Sequence, residues 1–382
     1  MMRLMADILT RPGAAVPAQR TQEHNGSARP RSTGYIDCDA HNYPKSIEVL
    51  LPFMAPRWRS FVEHIEYPGP LVNLYPKVHA NAARRDAYPP GGGKPGSDPQ
   101  FAAHQLLDTW GLTYAVLNPL YAHSQVRNLH LGNELARAVN RWTAAHWLDA
   151  DPRWRGSIVV NIEDPEAAAE EIHAVARDGR FVQVLLLVRS PEPYGRQRFR
   201  PIFRAATEEG LPVGVHFGGG GTAITGVGWP SYYIEDHTGM AQAFQSQVIS
   251  LVCEGVLEEL PECRIGLIEG GFAWLPPLMW RLDKNYKGLR EEVPWLTKLP
   301  SEYIRERFRA TTQPMEEPED PEHLRQIIAM LGRDDFLMFA TDYPHWDFDA
   351  PDRALRALGD TPLRRAVVAD NARAFYDFER AG

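Results

Sequence analysis

The sequence predicts an α/β protein, specifically a (β/α)8 TIM barrel with long insertions after its first and fifth strands. Eight short segments rich in aliphatic and β-branched residues alternate with segments of helical periodicity, and this alternation is typical of a parallel sheet. Most of the eight segments are almost uniformly apolar, as strands covered by helices on both faces must be. Eight repeats favour a closed barrel over an open, doubly wound sheet.

The eight predicted strands are distributed along the whole chain after residue 33. They are Tyr35–Asp39, Leu112–Asn118, Ser157–Asn161, Phe181–Val188, Leu211–His216, Arg264–Glu269, Phe308–Thr312 and Phe336–Asp342. Most have an apolar centre, for example VLLLV and IGLI in single-letter code, which is too apolar for a strand with one face in water.

Two of the intervening helices can be placed from the sequence. In Asp164–Gly179, Asp164 can cap the first turn, Pro165 suits the first helical position and Gly179 can end the helix. The second predicted helix is Ser246–Leu260. The residues expected to face the core are Ala168, Ile172, Val175 and Ala176 in the first helix and Ile249, Val252, Val256 and Leu260 in the second.

We expect a single folded domain, residues 34–382, preceded by a disordered tail. Residues 1–33 are rich in Ala, Arg, Pro, Gly and Ser and lack the apolar segment of a secretory signal. The two longest connections are residues 40–111 and Gly218–Gly239, and both follow strands, where barrel loops build active sites. They are expected to form a lid and a pocket wall, with plain surface loops as the alternative.

Composition excludes several classes of partner. The formal net charge of −8 argues against nucleic-acid binding, which needs a basic surface. No apolar run reaches the ~18 residues of a membrane span. Cys38, Cys253 and Cys263 are too few and too scattered for a disulfide framework, which indicates a reduced, cytoplasmic protein. A small-molecule substrate is therefore expected, and a homodimer is expected only because dimers are common.

Four of the predicted strands end in residues that can bind a metal ion. Asp39 ends the first strand, and His41, two residues further on, points to the same side of the extended segment. His216 ends the fifth strand, Glu269 the sixth and Asp342 the eighth. Each residue alone is equally consistent with a structural hydrogen bond or a turn. A barrel, however, brings all four ends to one mouth, where a divalent cation would neutralise the converging carboxylates.

These motifs resemble the amidohydrolase superfamily, in particular its branch of aminocarboxymuconate-semialdehyde decarboxylase-like metal-dependent hydrolases and decarboxylases. The resemblance covers the chain from Asp37 to about Phe375. Its most specific pieces are Asp37–His41, Gly210–Pro212 leading to His216, Glu269–Trp274 and Thr341–Trp346.

The resemblance implies that Asp39, His41, His216 and Asp342 are metal ligands. Asp39 takes the place in which this family usually has the first His. The chain departs from the family again at Glu269, because a His is usual at that position. The fourth strand offers Gln183 and neither Lys nor Glu, so a bridging carbamylated lysine of the two-metal type is not expected.

The number of metal ions depends on Glu269. Asp39 and Asp342 balance the charge of one divalent ion, so an ionised Glu269 would add one uncompensated negative charge. Glu269 therefore either keeps a raised pKa and acts as a general acid, binds a second cation, or only hydrogen-bonds the following glycine turn. One ion is favoured and two are possible, and the donor set suits Zn, Mn or Fe.

Further candidates lie on the loops around the same mouth. His345 can orient a bound water or shuttle protons, or it can have a structural role against Trp346. Aromatic and histidine side chains are expected to line the substrate pocket, although such residues are often plain core. They are Trp229, Tyr232, Tyr233, His237, Trp274 and Trp346.

The sequence ranks hydrolysis first among the possible activities. A metal lowers the pKa of bound water towards about 7, and Asp342 would accept the proton of that water. Asp342, Glu269 or His345 would then protonate the leaving group. The site would cleave an ester, thioester, amide, lactone or C–C bond of a small organic molecule.

Two alternatives remain open at this point. The first is non-oxidative decarboxylation of a small aromatic or unsaturated carboxylic acid, which the resemblance implies, with Asp342 or Glu269 protonating the carbon that loses CO2. The second is a catalytically inactive, ligand-binding barrel, against which the intact set of Asp and His residues argues.

Overall fold

The structure, a computed structural model, describes residues 34–380 except 71–74, 76–81, 122–125 and 221. Within these residues, eight parallel strands form one sheet in which every strand pairs with the next in the chain. The strands are β1 Ile36–Ala40, β2 Tyr114–Leu117, β3 Trp154–Val159, β4 Phe181–Leu187, β5 Val213–His216, β6 Ile265–Ile268, β7 Phe308–Thr311 and β8 Leu337–Met338. Each lies at one of the eight predicted positions.

The sheet closes between its first and last strands by a short bridge. The Cys38 amide donates to the Phe339 carbonyl at 2.9 Å and the Asp342 amide donates to the Asp39 carbonyl at 3.0 Å. Ala40 and Tyr343 form a parallel bridge beside them. The predicted (β/α)8 barrel is therefore confirmed.

Helices surround the sheet in the order expected of strand–helix repeats. The α-helices are α1 Pro56–His64, α2 Pro99–Ala102, α3 Leu129–Thr143, α4 Pro165–Val175, α5 Arg200–Glu208, α6 Tyr233–Thr238, α7 Met240–Cys253, α8 Val256–Glu259, α9 Leu275–Leu289, α10 Pro300–Arg307, α11 Pro321–Met330, α12 Pro362–Arg365 and α13 Asn371–Phe375. Short π-helical turns extend α2, α3 and α12 over Ala103–Asp108, Ala144–Leu148 and Ala366–Asp370.

The helix predicted at Asp164–Gly179 is α4, with a different end. The Asp164 side chain accepts a hydrogen bond from the Ala167 amide, as a helix cap should. The helix ends at Val175, not at Gly179. The Asp178 carboxylate accepts the Arg180 amide at 3.1 Å, and such a local turn competes with helical hydrogen bonding.

The prediction of one continuous helix at Ser246–Leu260 is wrong. The chain forms α7 and α8 instead, and Gly255 between them adopts a left-handed conformation with φ of 73°, which only glycine tolerates readily. Ile249, predicted to face the core, is 38% exposed, whereas Val248 and Val252 are buried.

The two long connections predicted after β1 and β5 are residues 41–113 and 217–264 in the structure. The first carries α1 and α2 and returns to the barrel where the Tyr43 amide donates to the Gly96 carbonyl at 2.8 Å. The first helix of the second connection is α6. The predicted disordered tail, residues 1–33, lies outside the described residues.

The strands are buried as their apolar sequences predict. Every residue of β3, β4, β5 and β6 is buried. In the described part of the chain, no helix has both the length and the apolar character that a membrane span needs. Cys38, Cys253 and Cys263 are free thiols.

Candidate metal centre and active site

The ends of β1 and β8 place Asp39, His41 and Asp342 against one another at the mouth of the barrel. The Nε2 atom of His41 lies 2.9 Å from Asp342 Oδ1 and 3.3 Å from Asp39 Oδ1. The three side chains are fully buried or nearly so. The first pair of predicted ligands therefore meets the eighth-strand carboxylate, although these residues are about 300 positions apart in the chain.

His216 completes this cluster from β5. Its Nε2 atom lies 3.0 and 3.1 Å from the two carboxylate oxygens of Asp39. β5 and β6 are in register, with His216 opposite Ile268, so Glu269 follows at the same level. Asp39, His41, His216 and Glu269 each place a ligand atom within 4.8 Å of those of the others.

The hydrogen bonds of the two histidines fix the ring atom that faces the cluster. His41 Nδ1 lies 2.7 Å from the Asn118 carbonyl, and His216 Nδ1 lies 2.6 Å from the Phe217 carbonyl. A carbonyl only accepts, so each Nδ1 carries a proton and Nε2 is the ring atom that faces the carboxylates. This outer contact is the usual support of a metal-binding histidine.

The donor set fits a divalent cation. Burial lowers the pKa of His41 to about 4, so its ring is neutral near pH 7. Its Nε2 lone pair then faces the oxygens of Asp39 and Asp342 at 3.3 and 2.9 Å. A cation between these atoms would bind the lone pair and both carboxyl groups together. Two imidazoles and two carboxylates suit Zn, Mn or Fe.

Burial and the neighbouring charges also affect the carboxylates while no cation is bound. Burial, followed by the nearby Glu269 carboxylate, raises the pKa of Asp342 well above its ordinary value. Burial alone would raise the pKa of Asp39, but His216 and His41 hold it below the ordinary value. The two acids of the cluster therefore differ in how readily they hold a proton.

Asp342 and Glu269 both follow their strands in a left-handed backbone conformation. Their φ angles are 60° and 56°, and a non-glycine residue in this region costs roughly 1–3 kcal/mol. The turn after Glu269 is held in place because the Phe272 and Ala273 amides donate to Glu316 at 3.2 and 3.1 Å. Such strain is concentrated at functional sites, and here it aims both carboxylates into the mouth.

His345 lies beside Asp342 and extends the cluster outward. Its Nδ1 atom is 2.6 Å from Asp342 Oδ1, and its ring stacks on His41 with centroids 4.4 Å apart. Its Nε2 atom is 3.0 Å from the Tyr43 hydroxyl. The predicted candidate therefore contacts the cluster directly and links Asp342 to Tyr43.

A buried polar network behind the cluster orients Asp39. The Asn118 side chain donates from Nδ2 to Asp39 Oδ1 at 2.9 Å. Its Oδ1 atom accepts from Ser157 Oγ at 2.6 Å and from Gln183 Nε2 at 2.8 Å. The Tyr376 hydroxyl donates to Gln183 Oε1 at 3.1 Å. Gln183, on β4, therefore helps to fix the Asn118 amide that donates to Asp39.

Asp37 joins the two strands that carry Asp39 and Asp342. It accepts hydrogen bonds from the Asp39 amide at 3.0 Å and from the amide and hydroxyl of Thr341 at 3.0 and 2.5 Å. Burial raises the pKa of Asp37 to about 7, although these hydrogen bonds oppose the shift. Its contacts are structural, and they hold the strand ends at a fixed separation.

Gln313 and Asp347 lie on the other side of Asp342. The Gln313 amide nitrogen donates to Asp342 Oδ2 at 3.2 Å and to Asp347 Oδ2 at 3.0 Å. Asp347 in turn lies 3.2 Å from Nε2 of His237, which comes from α6. A second group of imidazole and carboxylate side chains thus adjoins the first.

Aromatic side chains surround His237 and form one wall of the mouth. The ring centroids of Tyr233, Trp346 and Phe217 lie 5.6, 5.6 and 5.7 Å from that of His237. Trp229 lies further out, 5.7 Å from the guanidinium of Arg189. Tyr233, His237 and Trp346, all predicted as pocket residues, are therefore brought together beside the carboxylates.

Two predicted pocket residues have other surroundings. Trp274 donates from its ring nitrogen to the carbonyls of Gly270 and Gly271 at 2.8 and 3.2 Å, so it supports the turn after Glu269. Tyr232 is 69% exposed. The contacts found for these two rings in the described chain do not include the metal-binding cluster.

Sequence reasoning missed four residues of this site, namely Tyr43, Asn118, Gln313 and Asp347. Two of them carried a signal that was available. Asn118 ends the predicted second strand and Gln313 follows the predicted seventh, so the strand-end argument applies to amides as well as to acids and histidines. Tyr43 and Asp347 lie on loops, where the sequence gives no indication of direction.

Comparisons with known proteins identify a matching family and several relatives. The amidohydrolase family model, Amidohydro_2, matches residues 36–378. Gamma-resorcylate decarboxylases from Polaromonas sp. and Rhizobium sp. are 24% and 23% identical to this chain, and each match covers 72% of this chain and 86% of the relative.

Solved structures show the same fold. An amidohydrolase from Mycobacterium avium subsp. paratuberculosis is 18% identical with a TM-score of 0.67, over 89% of this chain and 98% of that one. A dihydroxybenzoic acid decarboxylase from Polaromonas sp., with bound manganese and the inhibitor 2-nitroresorcinol, is 19% identical with a TM-score of 0.64, over 91% and 97%. With the family model spanning almost the whole described chain, the protein belongs to the amidohydrolase superfamily, in the branch that its strand-end motifs predict.

Proposed function

We propose that this chain is a metal-dependent enzyme that decarboxylates a small aromatic acid without oxidation. The proposal rests on one observation above all, the aromatic wall of Tyr233, His237 and Trp346 directly beside a buried set of metal-binding side chains. Its relatives support the same reading, because those matched over 86% of their length are gamma-resorcylate decarboxylases. This ranking reverses the one from the sequence, which placed hydrolysis first.

In this proposal, Asp39, His41, His216 and Asp342 hold the divalent ion. A bound ion would act as a Lewis acid on the substrate carboxylate and a neighbouring oxygen. Zn, Mn and Fe all suit the ligands, and manganese is the ion named for three of the solved structures. The substrate ring would stack in the aromatic wall, where offset or edge contacts favour a flat molecule.

The chemical step requires one proton and no oxidant. A general acid, Asp342 or Glu269, donates a proton to the ring carbon that bears the carboxylate. The bond between that carbon and the carboxylate then breaks, its electron pair restores the aromatic ring, and CO2 leaves. His345 and Tyr43 can return a proton to Asp342, because His345 contacts Asp342 at 2.6 Å and Tyr43 at 3.0 Å.

Hydrolysis is the second candidate, because one feature of the site serves it equally well. The pair of Asp342 and His345 is a typical arrangement for removing a proton from water beside a metal ion. An ester, amide or lactone would then be the substrate. The two reactions differ in the fate of solvent atoms, which makes them separable by isotopic labelling.

The test uses purified protein loaded with Mn2+ in deuterated water. The substrates are 2,6-dihydroxybenzoate and related hydroxybenzoates, with aryl esters and lactones as competing candidates. We expect one CO2 per acid consumed and one deuterium on the carbon that lost its carboxylate. Cleavage of an ester or lactone with uptake of oxygen from 18O-labelled water, together with no CO2 from any acid, would overturn the assignment.

A further inference from the structure

A second group of metal-binding side chains lies beside the proposed centre. His237, Glu269 and Asp347 each place a ligand atom within 4.8 Å of the other two. They come from α6, from the turn after β6 and from the loop after β8. One imidazole and two carboxylates form a donor set that divalent Zn, Mn and Fe accept.

Gln313 provides an independent indication that an ion belongs here. Its side chain is fully buried, and its amide nitrogen donates to both Asp342 and Asp347. The amide oxygen has no hydrogen-bond donor within the described residues, and a buried acceptor without a partner is costly. If the amide rotates by half a turn, the oxygen takes the place of the nitrogen and faces Asp342 and Asp347, and a cation among these oxygens would bind it.

Charge points in the same direction. One ion at the proposed centre balances Asp39 and Asp342, whereas Asp347 brings a further carboxylate to the same opening. Across the described ranges, no Lys or Arg lies within ion-pair distance of Asp347, whose side chain contacts His237, Gln313 and Asp342. A divalent cation beside these side chains would offset the acidic oxygens that meet there.

We propose that His237, Glu269 and Asp347, together with the amide oxygen of Gln313, bind a second divalent cation. Glu269 also belongs to the first cluster, so its carboxylate would lie between the two ions. The second ion would attach α6, and with it the aromatic wall, to the barrel. This inference rests on the proposed metal centre but not on the reaction assigned to it.

The test is the metal stoichiometry of the full chain. Metal-free protein is titrated with Mn2+ by calorimetry, and its manganese content is measured after desalting. We expect two equivalents for the wild type. Asp347→Asn and His237→Gln should keep one equivalent and bind the second at least about tenfold more weakly, because each loses a ligand. Two Mn2+ ions about 3.5–4 Å apart, the spacing of known two-metal sites, should also give an exchange-coupled paramagnetic resonance spectrum, which the variants should lose.

Asp352→Asn is the matched control, because Asp352 lies on the same loop with its side chain 53% exposed, and it should bind two equivalents. A single equivalent in the wild type would overturn the second site and leave the first intact. Two equivalents in both ligand variants would overturn the ligand assignment. Absence of binding in the wild type would overturn the proposed centre itself, and circular dichroism shows whether each variant is folded.

Discussion

Asp342 is the residue on which the contacts of the site converge. It touches His41 and His345 through one carboxylate oxygen and Gln313 through the other. Its backbone is held in a left-handed conformation by the hydrogen bond from its own amide to the Asp39 carbonyl. A side chain that is placed at this conformational cost and approached from three sides is well suited to both metal binding and proton transfer.

Replacement of Asp342 by Asn should abolish most turnover while the fold persists. Asn cannot hold the transferable proton and is a poorer ligand, so kcat should fall by about 10²- to 10⁴-fold, the usual contribution of a general acid or base. Steady-state kinetics of Asp342→Asn against Asp352→Asn measures the loss, and thermal unfolding reports the fold. Near-normal turnover in Asp342→Asn would remove this residue from the chemistry.

The strand ends explain why so much of the site was visible in the sequence. Parallel strands of a barrel deliver their C-terminal residues to one mouth, so Asp39, His216 and Asp342 could be grouped without coordinates. The apolar strands were equally predictable, because burial on both faces leaves a strong compositional signal. The break between α7 and α8 was not, because the left-handed turn at Gly255 interrupts a pattern that is otherwise helical.

The sequence could not predict the hydrogen-bond network that orients Asp39, for a different reason. Which end of the Asn118 amide faces Asp39 depends on donors that arrive from β3 and β4, and their directions are known only in three dimensions. Ser157 and Gln183 both donate to the oxygen, so the nitrogen must point to Asp39. Elements other than those that bear the ligands therefore define the ligand geometry.

Removal of the Gln183 amide should weaken metal binding without removing a ligand. In Gln183→Leu, Asn118 loses one of its two fixing donors, and loss of such an outer contact typically weakens metal affinity about 10- to 100-fold. Competition with a chelator of known affinity measures the change. Tyr376→Phe, which removes only the outermost hydroxyl of the network, should have a smaller effect. Equal affinity in Gln183→Leu and the wild type would show that the network does not support the ion.

At the scale of the whole molecule, metal binding should contribute to the stability of the barrel. The proposed ligands lie on or just after β1, β5 and β8 and converge only in the folded chain, so an ion would bind the native state in preference to the unfolded one. Free Mn2+ at about 100 times its dissociation constant should stabilise the protein by about 2.7 kcal/mol.

Thermal unfolding with and without a chelator tests this linkage. The midpoint should rise with the concentration of free Mn2+ and fall when the chelator is added. His216→Ala, which lacks one ligand, should show a smaller rise under the same conditions. A midpoint that is the same in metal and in chelator would contradict binding at these residues.

The short bridge between β1 and β8 has a consequence for metal exchange. Asp39 and His41 lie on or just after β1, and Asp342 follows β8. An ion bound between them would therefore connect the two strands where they share only a short backbone bridge. Any transient parting of the two strands carries these ligands away from one another. The rate of metal release should therefore depend on how often β1 and β8 separate. A variant with stronger pairing between these two strands should retain its metal longer.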